Sequence, residues 1–133
     1  MSGKRIILIA ATLAVLLVVS QSCEDATTLV IDNSPAVTKT VSFANDLVPI
    51  FNKSCALAGC HNAGGKQPEL TADKAYSALT IGNYLNVGSP KESSVYQYLT
   101  GKKTPQMPMG STPNPSNLNA LVLAWVTQGA KNN

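Results

Sequence analysis

One histidine, one tryptophan and three cysteines are all that this chain of 133 residues offers of its most chemically distinctive side chains. A closed zinc site takes four strong ligands, and the single histidine, His61, with Cys55 and Cys60 beside it, falls short of that number. Charge is also scarce. Once Lys4 and Arg5 are set aside with an N-terminal leader, eight basic residues face seven acidic ones, a balance of +1. That balance argues against a nucleic-acid partner, which calls for a strong basic patch. Nothing alternates between apolar and polar positions as a half-buried strand does, and no internal repeat is visible. The apolar stretch Ile6 to Val19 is 14 residues long, where a helix crossing a bilayer of ~30 Å needs about 20.

What is present at the N-terminus is an export signal. Lys4 and Arg5, the apolar stretch, and the small or polar Ser20, Gln21 and Ser22 have the three-part build of a secretory leader. Residues 1–22 are therefore expected to be a signal peptide, removed on export. Cleavage before Cys23 resembles bacterial lipoprotein processing, in which the new N-terminal cysteine carries lipid. Lipidation of Cys23 would also account for an otherwise odd free thiol in an oxidising compartment. One acyl chain binds a membrane marginally, at ~0.8 kcal/mol per buried CH₂, whereas the several chains of a lipoprotein cysteine hold firmly. The expected address is membrane-anchored, on the periplasmic face or at the cell surface, and a retained short anchor helix would lead to the same place.

From Glu24 to Thr40 the chain is polar, contains Pro35 and has no sustained apolar period, so residues 23–40 read as a lipidated N-terminus and flexible tether. Residues 41–133 remain for a single domain of 93 residues. At that size an apolar core supplies only a few kcal/mol of net stability, and a covalently fixed cofactor would add to it.

Four short helices are expected in that domain. In the first, around Asn45 to Ser54, Phe43, Leu47, Ile50 and Phe51 share a face, and Pro49 is harmless only near the first turn. A second runs from a Thr71 cap to about Leu79, with Asp73 in its first turn and Ala75, Ala78 and Leu79 inward. Ser93 or Ser94 caps a third, where Val95, Tyr96 and Leu99 pack and Gly101 stops the helix. The last has Asn114 as cap, Pro115 at its first position, Leu118, Leu121, Val122 and Trp125 on one stripe, and Gly129 at its end. Loops rich in Gly and Pro, Ala63 to Pro68 and Thr104 to Pro113, separate them. The fold class is all-α, a domain wrapped around a ligand.

The ligand is indicated by Cys55-Ala-Leu-Ala-Gly-Cys60-His61. Two thiols followed at once by a histidine are what covalent haem c attachment uses: the cysteines add to the haem vinyl groups and the histidine ligates iron. Four residues separate the cysteines here instead of the common two, yet Cys60-His61 keeps the adjacency that sets the imidazole beside the nearer thioether. Gly59 permits a backbone angle closed to other residues. The same spacing is open to a small disulfide loop. Opposite the histidine, the candidate ligand is a thioether in Gln106-Met107-Pro108-Met109-Gly110, 46 or 48 residues downstream of His61; Met107 is the first choice and Met109 the second.

The chain resembles the small c-type cytochromes, in particular the cytochrome c-like domains with a wider cysteine gap found in lipoproteins of Bacteroidetes and in planctomycete-type cytochromes. The resemblance rests on Asp46-Leu47-Val48-Pro49-Ile50 before the first cysteine, Ser93-Ser94-Val95-Tyr96, Met107-Pro108, and the closing Trp125-Val126-Thr127-Gln128-Gly129-Ala130, and it covers residues 42–131. It implies one haem c attached through Cys55 and Cys60, with His61 as proximal and Met107 as distal iron ligand. Where members of that family read Met-Pro-Pro, this chain has Met-Pro-Met.

With both axial positions filled by protein, the expected function is transfer of single electrons between redox protein partners, by a monomer and without enzymatic chemistry. Two alternatives stand beside it. One is a haem-based sensor of small ligands, or a weak peroxidase, with a labile distal ligand; the other is a haem-free lipoprotein with a disulfide. Lys102 and Lys103 are candidates for a docking patch or simply a solvated pair, and Trp125 for core packing with its indole N–H on a carbonyl or a propionate.

Overall fold

Pro49 decides where the first helix becomes regular. Lacking an N–H, it cannot make the backbone bond that a helix interior requires, and in the computed structural model, which describes residues 35–110 and 117–133, it occupies the first turn of α1 (Val48–Ser54). The preceding turn, Phe43–Leu47, is a π-helix whose last link runs from the Val48 N–H to the Phe43 carbonyl. The wider turn takes up residues that cannot join an α-helix continuing through Pro49. The helix expected from Asn45 is thus a π turn followed by an α-helix that starts three residues later.

Three further helices follow: α2 (Ala75–Ile81), α3 (Ser94–Leu99) and α4 (Leu118–Thr127), with a 3₁₀ turn at Pro90–Glu92. No strand occurs among the described residues, so the all-α class holds. Helix α4 packs against the π turn, α3 and the 3₁₀ turn. Its end is a paired hydrogen-bond cap: the Gly129 N–H donates to the Val126 carbonyl and the Ala130 N–H to that of Trp125. Gly129 is at φ +95°, which a side chain would resist.

Two cap assignments are corrected. Thr71 does not cap α2; its hydroxyl donates to Glu69, and the helix begins four residues later with Lys74 at the cap position, leaving Asp73 outside the first turn. Ser93 precedes α3 but gives that helix no side-chain cap; its buried hydroxyl instead accepts from the Asn86 N–H at 2.8 Å. Asn114 and Pro115 lie outside the described residues, and α4 is preceded by Asn117 at φ +62°.

The core is built from Phe43, Leu47 and Phe51 of the first segment, Ala75 and Leu79 of α2, Leu99 of α3, and Leu118, Val122, Trp125 and Val126 of α4. Ile50, Ala78, Val95 and Leu121, expected inward, are half-buried. Trp125 lies at the centre, with its ring centroid 5.0 Å from Phe43. Its indole N–H donates to the Lys131 carbonyl at 2.8 Å, so the core-packing reading of this residue holds.

Segment 39–44 is fastened to the far end of the chain by two amide side chains. Gln128 accepts from the Val41 N–H and donates to the Lys39 carbonyl, while Asn133 accepts from the Phe43 N–H and donates to the Val41 carbonyl. Each amide reproduces the donor–acceptor pair of a backbone neighbour.

Candidate functional site

The last turn of α1 delivers Cys55 into the core. The Cys55 and Ala56 N–H groups both donate to the Phe51 carbonyl at 2.8 Å, and the Cys55 side chain joins the buried cluster. Burial, and secondarily the nearby Cys60, pushes the Cys55 thiol up to about 11. It therefore stays protonated at neutral pH, a poor thiolate ligand for a metal. Cys60 is exposed, and both are free thiols.

Between them the chain makes a tight turn, the Cys60 N–H donating to Leu57 at 2.9 Å. Gly59 stands at φ +78°, the left-handed region that the third position of such a turn favours. The His61 N–H then returns to the Cys55 carbonyl at 3.1 Å. The two added residues of the motif are thus folded into a closed loop that keeps both cysteines and the histidine together.

A second loop orients the imidazole. His61 Nδ1 lies 2.8 Å from the Pro68 carbonyl oxygen and 3.1 Å from that of Lys66. Carbonyl oxygens only accept, so Nδ1 carries a proton; in the neutral ring Nε2 is then the nitrogen with the lone pair, the arrangement that a metal-ligating histidine needs. Both carbonyls belong to the Gly- and Pro-rich loop that ends at Pro68.

That loop is held by the Lys66 N–H on the Cys60 carbonyl at 2.7 Å, the Gly65 N–H on Asn62 at 2.9 Å and the Leu70 N–H on His61 at 2.8 Å. Asn62 Oδ1 is buried in it without a hydrogen-bond partner. Gly65, within the Gly- and Pro-rich stretch from Ala63 to Pro68, is the one sequence feature that could have signalled a close backbone approach here.

Met107 is half-buried and packs against the cluster that contains Cys55, and its N–H is fixed to the Tyr98 carbonyl at 2.9 Å. Met109 is 67% exposed. Lys102 and Lys103 are both exposed; Lys103 donates to Ser94 and lies 5.7 Å from the centre of the Tyr98 ring. Among the described residues no three His, Cys, Asp or Glu side chains converge on one point, and no helix is long and apolar enough to cross a membrane. Residues 1–22, Cys23 and the tether up to residue 34 lie outside the described residues.

Comparison with known proteins finds no family whose model matches the chain, no similar curated protein and no similar solved structure. Its chemistry is therefore read from the loop itself. The residues present are compatible with haem c attachment: two free thiols flank a closed turn, and the imidazole that follows the second one spends Nδ1, not Nε2, on the loop carbonyls.

Proposed function

We propose that this chain is a membrane-tethered monohaem c-type cytochrome that carries single electrons between redox proteins in the periplasm or at the cell surface, and catalyses no bond rearrangement. Cys55 and Cys60 would hold the haem as thioethers, His61 through Nε2 and Met107 through sulfur would be the axial ligands, and Cys23 would carry the lipid. When bound, the haem supplies a one-electron ferric–ferrous couple. The chain's own part would be to fix the imidazole by its Nδ1–H and to offer, from Met107 packed against the apolar core, a thioether that favours the ferrous state. The tethered domain would act alone, as a monomer meeting its partners by diffusion.

The observation that supports this reading is the pair of carbonyls on His61 Nδ1, which makes that nitrogen the N–H donor and leaves Nε2 of the neutral ring available to a metal, one residue after Cys60. Expression of the full chain in a host with a cytochrome c maturation system, followed by mass measurement and an alkaline pyridine spectrum, tests it. One haem joined through two thioethers is the expected result. Protein that stays colourless with the mass of the bare polypeptide sinks the proposal.

A further inference from the structure

We infer that Gly65 is a positioning residue for His61, an inference that rests on the ligand role proposed for that imidazole. A methyl group at position 65 would sit 2.4 Å from the Cys60 carbonyl oxygen, 2.6 Å from Asn62 Oδ1 and 3.0 Å from the Asn62 carbonyl oxygen. Real Cβ atoms essentially never come within 3.0 Å of another heavy atom, and the nearest obstacle, the Cys60 carbonyl oxygen, is backbone and cannot rotate away. The Cys60 oxygen is also the acceptor for the Lys66 N–H at 2.7 Å. A side chain at 65 therefore displaces the acceptor that holds Lys66, and with it the Lys66 carbonyl that faces Nδ1 at 3.1 Å.

The bare α-carbon of Gly65 is what lets the 62–66 turn close under the imidazole. Its neighbour serves a different purpose. Gly64 stands at φ +69° with nothing within 4 Å of a would-be Cβ, so it meets a conformational demand that asparagine also satisfies. The two glycines are separable by substitution.

The effect on the imidazole has a direction. Hydrogen bonding of Nδ1–H to carbonyls raises the basicity of the opposite nitrogen, and a more basic ligand favours the ferric state. Weakening those bonds shifts the reduction potential upward. It also frees the ring to populate the other tautomer and exchanges its N–H proton faster.

The test uses the full chain carrying Gly65→Ala or Gly64→Asn beside the unsubstituted protein, haem-loaded if maturation attaches haem and haem-free if it does not. Nitrogen-15 spectra of the single histidine need no assignment. The unsubstituted protein and Gly64→Asn are expected to show one slowly exchanging ring proton on Nδ1; Gly65→Ala is expected to lose that protection with unchanged helical circular dichroism, and, when loaded, to show a raised potential. An unsubstituted protein whose ring proton is on Nε2, or a Gly65→Ala protein indistinguishable from it, overturns the inference. Should Gly65→Ala fail to fold, amide exchange in the unsubstituted protein decides: a protected Lys66 N–H supports the closed turn and an unprotected one refutes it. Failure to acquire haem sinks the proposed function and leaves the nitrogen result standing.

Discussion

At the scale of single residues, the two methionines of the 106–110 loop separate cleanly. Met107 is half-buried against the core and tied by its N–H to Tyr98, whereas Met109 is 67% exposed. Under the proposed function, Met107→Ala retains covalent haem, loses the long-wavelength sulfur-to-iron absorption, lowers the potential and lets the reduced protein bind carbon monoxide. Met109→Ala leaves all three unchanged. Optical titration of both variants checks the pair, and a spectrum altered only by Met109→Ala would reverse the assignment. His61→Ala is expected to yield no stable haem-loaded protein, measured as haem-stained band intensity on a denaturing gel. Cys55, Cys60, His61 and Met107 can be singled out from residue type and order alone, and the structure brings the first three into one closed loop. Gly65 is less legible: its requirement arises from oxygen atoms of Cys60 and Asn62, whose placement depends on how the loop closes.

At the scale of elements, the start of the first segment is a reciprocal cap. Ser42 Oγ accepts from the Asn45 N–H at 3.1 Å, and Asp46 accepts from the Ser42 N–H at 2.8 Å. Ser42→Ala should cost about 1 kcal/mol, as loss of such caps does, measured by denaturant unfolding. The ion pair with Lys39 and then the Ser42 N–H hold the Asp46 carboxyl below its ordinary 3.8. A depressed carboxylate adds stability that is complete above the ordinary value and disappears as pH falls through the lowered one. The protein should therefore lose stability on acidification below about pH 4 more steeply than Asp46→Asn does. Equal acid limbs for the two would show that Asp46 contributes nothing there. Helix existence was visible in apolar spacing, and Gly129 marked the end of α4. Starts were harder to see, because Thr71 and Ser93 spend their hydroxyls on Glu69 and Asn86, partners that the local sequence does not announce.

At the scale of the molecule, the all-α class followed from periodicity, but the fastening of its two ends did not. Gln128 and Asn133 each pair with backbone about 90 positions away in sequence, and an amide on a helix end or in a tail gives no pattern that predicts such a partner. Gln128→Ala leaves the Val41 N–H without its acceptor and should destabilise the domain by about 1–2 kcal/mol. Thermal melts of the haem-free chain would register this as a lowered midpoint, and an unchanged midpoint would show the clasp to be energetically idle.

The lone tryptophan gives the domain a built-in lamp. Trp125 is 1% exposed, enclosed by Phe43 and Tyr76, so its emission should be blue in the folded, haem-free chain. In so small a domain a porphyrin would drain that light by resonance transfer wherever it was attached. Darkness on loading, and brightness regained on unfolding, would make fluorescence a continuous gauge of how many molecules carry the pigment.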